Sequence, residues 1–131
     1  MELFKRYKAE VEKDVIVNEF NIKEVQQRLP ARKHFWAARL IDAKIELQSL
    51  KTKKKVLQSA IAVKVMQEAP IRMTRNEALV ITETAEDVIN IATSIKEYEY
   101  IVEYLEKVEK IMGGMDWGIK NIIALQSLEQ S

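Results

Sequence analysis

The chain of 131 residues contains no cysteine, one histidine, two prolines and three glycines. Without cysteine there is no disulfide, no thiol nucleophile and no thiolate zinc site, and a single histidine excludes a histidine-rich metal centre. All three glycines, Gly113, Gly114 and Gly118, fall within six positions, so residues 1–112 contain none. Tight hairpin turns draw on glycine's access to positive φ, and glycine weakens helices. The shortage therefore argues against sandwiches and barrels and for long helices. It also removes any glycine-rich phosphate loop before residue 113, and Gly113-Gly114 lacks the downstream Lys-Ser/Thr that such a loop needs. No run approaches the ~18–20 consecutive apolar residues of a membrane span. The start, Met1-Glu2-Leu3-Phe4-Lys5-Arg6, lacks the apolar stretch and small-residue cleavage site of a signal peptide. The expectation is a cytoplasmic protein with no membrane partner.

What is present is 47% hydrophobic and 31% charged residues, the balance of a globular chain. The net charge of +1 hides an asymmetry. Residues 1–75 carry 17 Lys+Arg and 9 Asp+Glu, a balance of +8, and residues 76–131 carry 4 and 11, a balance of −7. Between Arg28 and Lys64 ten basic residues face only Asp42 and Glu46. Such a tract offers a polyanion an electrostatic footprint. Pairing between the two halves, within one chain or between subunits, is the competing reading.

Hydrophobic spacing predicts four helical segments. Leu3, Tyr7 and Val11 set the first, Glu2 to Asp14, and the β-branched stretch Asp14 to Asn18 marks a break. Asn21 with Glu24 has capping-box spacing before a second region, Ile22 to Glu68. Its interruption is Pro30, which either kinks the helix or opens a new one. Trp36, Leu40, Ala43, Leu47, Leu50, Lys54, Leu57 and Ile61 form a heptad seam with Lys54 as its misfit. Thr74 with Glu77 is a second capping box, although Ala78 to Thr82 reads equally as a short strand. Thr84 with Asp87 starts the third long segment, whose heptad positions are Val88, Ile91, Ile95, Tyr98, Val102, Leu105 and Met112. Ile89, Ile101, Val108 and Ile111 widen that stripe, so two faces call for burial and imply self-association. Gly113-Gly114 predicts a break before a last helix, Met115 to Leu128, bearing Trp117, Ile119 and Ile122.

Candidate chemistry is sparse. His34 has no nucleophile or acid at a recognised spacing. Glu83 and Asp87 are acids of a helix start, where the dipole already favours them, so no metal or other cofactor is expected. Nothing suits nucleophilic or acid–base catalysis, and the chain is expected not to be an enzyme. Lys53-Lys54-Lys55 lies within the basic tract. Phe35 and Trp36 at its start suit either a helix core or stacking on bases.

Three stretches carry a resemblance over nearly the whole chain. They are Val11-Glu12-Lys13-Asp14-Val15 before a long helix with Lys33 and Trp36, Glu86-Asp87-Val88 with Thr93-Ser94-Ile95 and Tyr98, and Trp117-Gly118-Ile119-Lys120-Asn121-Ile122. In order and spacing the chain resembles the UvsY family of T-even phage recombination mediators. The resemblance implies a ring-like homo-oligomer of about six or seven subunits that binds single-stranded DNA. It also implies partners: a RecA-like recombinase of the UvsX type, loaded in place of single-stranded-DNA-binding protein. The family prototype's Leu-Lys-Ala-Arg-Leu motif, tied to DNA binding, corresponds without gaps to Leu57-Gln58-Ser59-Ala60-Ile61, which lacks both basic residues; either Lys51, Lys53, Lys54 and Lys55, one to two turns earlier, replace them, or Lys64 matches through a small shift.

The resulting expectation is an all-α, elongated protein assembling into a homo-oligomeric ring or helical bundle. A basic part, residues 1–75, would bind DNA through Arg39, Lys44, Lys51, Lys53, Lys54, Lys55 and Lys64, with Phe35 and Trp36 available for base stacking. An acidic part, residues 76–131, would oligomerise through Val88, Ile91, Ile95, Tyr98, Val102, Leu105, Met112, Trp117, Ile119 and Ile122. The rival expectation is a helical adaptor that never touches DNA.

Overall fold

The computed structural model describes residues 1–130 and is all-α. Its helices are α1 (Glu2–Asp14), α2 (Ile22–Glu68), α3 (Arg75–Thr82) and α4 (Glu86–Gln130). The expected all-α class and the bounds of the first two helices hold. α1 closes through the Val15 N–H to the Val11 carbonyl at 3.0 Å. The turn that follows is held differently from the predicted capping box. Asn21 Oδ1 accepts the Asn18 N–H at 2.8 Å, and Asn18 Oδ1 accepts the N–H groups of Phe20 and Asn21. Asn21 is thus turned back into the loop and does not cap Glu24, because Asn18 offers its side chain a reciprocal partner.

Pro30 does not open a new helix; it sits inside α2. The ring removes one N–H and strains a turn, at about 3 kcal/mol. Buried Ile22 and Leu29 on one side, and Trp36 and Leu40 on the other, continue one apolar stripe across it. Thr74 Oγ1 accepts the Glu77 N–H at 3.2 Å, which starts α3 and dismisses the strand alternative. Ala78 and Thr82, one helical turn apart, are both fully buried. Thr84 was expected to start the next helix, but its hydroxyl donates to the Ile81 carbonyl, closing α3, and the first α4 turn bonds Ile89 N–H to the Ala85 carbonyl.

The predicted break at Gly113-Gly114 does not occur. α4 runs unbroken from Glu86 to Gln130, with no glycine at positive φ. Each helical glycine costs about 1 kcal/mol relative to alanine. Met112, Met115 and Ile119 are buried on both sides of the pair, and that burial outweighs the cost.

Packing divides the chain elsewhere than at the charge boundary. One compact unit comprises residues 1–42 with 101–131, and the other residues 43–100. The first unit's core contains Val11, Trp36, Leu40, Ile101, Leu105, Val108, Met112 and Ile119. The second unit's core is built from smaller side chains, among them Ala43, Ala62, Ala78, Thr82, Val88 and Ile95. The buried stripe of α4 changes phase between them. It passes through Val88 and Ile95, then resumes at Ile101 and continues at heptad steps through Leu105, Val108, Met112, Met115 and Ile119. Of the residues that widen the stripe, Ile101 and Val108 join this core, while Ile89 and Ile111 are exposed.

Candidate nucleic-acid interface

The basic tract falls into two chemically different parts. In the first unit its cations are already partnered. Arg32 pairs with Asp14 at 2.7 Å, Lys33 with Asp116, Arg39 with Glu10, and Arg28 with Glu24. The Arg32 and Arg39 guanidiniums each lie 4.1 Å from the Phe35 ring centroid, and Arg39 also packs against Tyr7 and Trp36. Trp36 is 2% exposed and donates its indole N–H to Asp14 at 2.7 Å. Two expectations are corrected here. Trp36 is a core residue with its polar atom satisfied, and Arg39 is an ion-paired arginine inside an aromatic cluster. Phe35, half-buried, packs edge-on against Trp36 beneath the two guanidiniums, so its ring is occupied too.

In the second unit the position is reversed. Lys51, Lys53, Lys55 and Lys64 are exposed and Lys54 is half-buried, and no ion pair reaches any of these five among the described residues. Lys44 is exposed but has a partner. α2 presents Gln48, Lys51, Thr52, Lys55 and Gln58 along one face by its 3.6-residue period, with Lys54 at the edge. These side chains, together with Ile95 and Glu99 of α4, line a cleft of about 450 Å³. Lys53 and Lys64 lie on another stripe of α2, away from that cleft. The three unneutralised ammonium groups gathered at the cleft, Lys51, Lys54 and Lys55, suit phosphates.

Sequence spacing does not reveal the opposing wall. Glu99 was read only as part of the acidic half, yet it faces the same cleft as Lys51, Lys54 and Lys55. The stripe Gln48-Lys51-Lys55-Gln58 follows from helical spacing alone.

The candidate interface residues of α4 separate by exposure. Val88, Leu105, Met112 and Ile119 are buried within one copy of the chain and have no surface left for another, and Ile95, also buried, keeps only 8% exposure, at the cleft. Ile91, Tyr98, Val102 and Ile122 are half-buried. Trp117 is 73% exposed. The sole histidine, His34, lies exposed at a cleft with Lys33 and Glu109, and no group of three metal-ligating side chains gathers among the described residues. No helix among those residues is long and apolar enough to cross a membrane.

No protein-family model matches the chain, and no curated protein matches it in sequence. Solved structures do. A crystal structure of the bacteriophage T4 recombination mediator protein UvsY (lattice type IV) superposes with a TM-score of 0.81, covering 96% of this chain and 98% of that one at 17% identity. A second crystal form (lattice type II) gives 0.78 over 97% of each chain at 16% identity. The fold is that of UvsY. Gln58 donates to Thr82 Oγ1 at 3.1 Å and to Glu83 at 2.9 Å, and Ser59 accepts from Arg75. These positions serve contacts between α2 and the α3 region. Of the five unpaired lysines of α2, Lys51, Lys53, Lys54 and Lys55 lie up to two turns before these positions and Lys64 lies after them.

Proposed function

We propose that this chain is a recombination mediator. It acts as a non-catalytic, homo-oligomeric protein that binds single-stranded DNA and helps load a RecA-like recombinase in place of single-stranded-DNA-binding protein. What supports the reading is the whole-chain likeness to UvsY together with one local observation. In the first unit the tract's cations, Arg28, Arg32, Lys33 and Arg39, are spent on internal pairs, whereas Lys51, Lys53, Lys54, Lys55 and Lys64 stand unneutralised on α2. Phosphates would replace their counterions, with a single-strand salt slope of about −0.7 per phosphate neutralised. One protomer holding three or four phosphates binds weakly at physiological salt. Six or seven joined protomers present the same site repeatedly to one strand, and the high effective concentration makes the composite site strong. The exposed apolar residues of α4's last turns, Trp117, Ile123 and Leu125, supply surface for that joining. Binding of this kind would loosen a resident binding protein by occupying and bending its strand, opening a stretch on which recombinase nucleates.

The test is recombinase loading itself. Single-stranded DNA is coated with single-stranded-DNA-binding protein, a UvsX-type recombinase is added, and its DNA-dependent ATP hydrolysis is followed. Adding this protein should shorten the lag before steady hydrolysis. A lag unaffected at every ratio of protein to DNA overturns the mediator reading.

A further inference from the structure

The cleft of the second unit has two chemically unlike walls. On the α2 side stand the ammonium groups of Lys51, Lys54 and Lys55, none of them ion-paired. On the α4 side stand apolar Ile95, 8% exposed at the floor, and Glu99, whose carboxylate has no ion-pair partner among the described residues. A phosphate is drawn to the first wall and repelled from the second. A group that suits the second wall is uncharged, has a flat apolar face for Ile95 and has an N–H edge for an acceptor-only carboxylate. A nucleobase has all three, and carboxylates accept hydrogen bonds from base N–H groups. The cleft's volume of about 450 Å³ lies within the ~300–1,000 Å³ typical of small-molecule sites. Lys54, half-buried at the cleft edge, replaces the apolar residue that the heptad seam calls for, so the seam opens here instead of closing.

We infer that this cleft takes one unstacked base of the bound strand, with the adjoining phosphate on Lys51, Lys54 and Lys55 and the base edge on Glu99. The inference rests on the DNA-binding reading above and adds to it the source of single-strand preference. A paired base must first leave its stack, at a cost of a few kcal/mol, whereas a base in a single strand enters freely. Glu99 also sets the direction of entry, because it repels the backbone from the wall that the base is to meet.

The experiment uses the full chain and fluorescence anisotropy with two labelled probes of equal length and equal backbone charge, oligothymidylate and its abasic counterpart. Inorganic polyphosphate serves as competitor. The abasic strand should bind about tenfold more weakly per protomer with an equal salt slope, and polyphosphate should displace it more readily than it displaces oligothymidylate. Glu99→Gln, a surface change that keeps a hydrogen-bonding group and removes the repulsion, should strengthen abasic binding severalfold and narrow the difference. Equal affinity for the two probes overturns the base-in-cleft assignment while leaving DNA binding intact. A difference that Glu99→Gln does not alter places the base elsewhere and overturns it as well. Failure of both probes to bind even in low salt removes the DNA-binding reading itself, and the inference falls with it.

Discussion

Replacing the three glycines of α4 with alanine should make the protein markedly more stable. Gly113, Gly114 and Gly118 lie within a continuous helix, none has positive φ, and a Cβ added at any of them meets nothing within 4 Å. Neither backbone conformation nor packing within the chain requires glycine there. Each substitution removes a helix-interior penalty of about 0.8–1.0 kcal/mol, and the triple variant gains about 2.5 kcal/mol if the sites act independently. For a chain of this length 1 kcal/mol corresponds to about 3–5 °C, so the melting midpoint should rise by about 10 °C. Far-UV circular dichroism on heating, at fixed protomer concentration because association also stabilises, gives the shift directly. Urea titration gives the free energy separately. An unchanged or lowered midpoint refutes the reasoning. It would mean either that α4 is broken at the glycine pair in solution or that the bare backbone is pressed against another chain.

Other consequences follow from single contacts. Thr74→Ala removes the hydroxyl that accepts the Glu77 N–H, and should cost about 1 kcal/mol in urea denaturation; no loss would mean that the cap does not hold α3. Trp36→Phe keeps most of the buried volume but leaves Asp14 without the indole N–H. It should lower stability by about 1–2 kcal/mol and leave single-strand affinity unaltered, whereas a selective loss of affinity would contradict the core placement of Trp36. Burial, and secondarily the Glu12 carboxylate, holds the Tyr104 hydroxyl above its ordinary pKa. The stability linked to its neutral form is therefore complete below the unfolded-state value and lost as pH rises through the folded-state value. Tyr104→Phe should remove that part of the alkaline decline, and an identical decline in the variant would show that Tyr104 does not drive it.

Much of the helical framework was legible in local patterns. Leu3, Tyr7 and Val11 placed α1, and the absence of breakers after Pro30 placed the long course of α2. Thr74 and Glu77 marked α3 even while Ala78 to Thr82 read ambiguously. The errors share a physical origin, since local signals were overruled by partners distant in the chain. Gly113-Gly114 looks like a break until Met112, Met115 and Ile119 are seen to be buried around it. Trp36 looks available to a base until Asp14, 22 residues away, takes its N–H. Arg39 and Lys33 look free until Glu10 and Asp116 reach them. The widened stripe of α4 was legible, but not that Ile101 and Val108 are covered while Ile89 and Ile111 stay exposed, because periodicity alone does not say which neighbour covers a face. At the candidate site the lysine run itself was visible, and only the packing distinguished its unneutralised members from cations already paired.

The most direct measurement is the salt dependence of single-strand affinity for the wild-type chain and for Lys51→Gln/Lys54→Gln/Lys55→Gln, with light scattering confirming equal assembly mass. If these lysines neutralise phosphates, the wild type shows a steep fall of log affinity with log salt. The variant should then bind more weakly and lose about 0.7 of slope for each contact removed. Equal affinity and equal slope in the two proteins would contradict the assignment of the α2 lysines as the DNA-binding site.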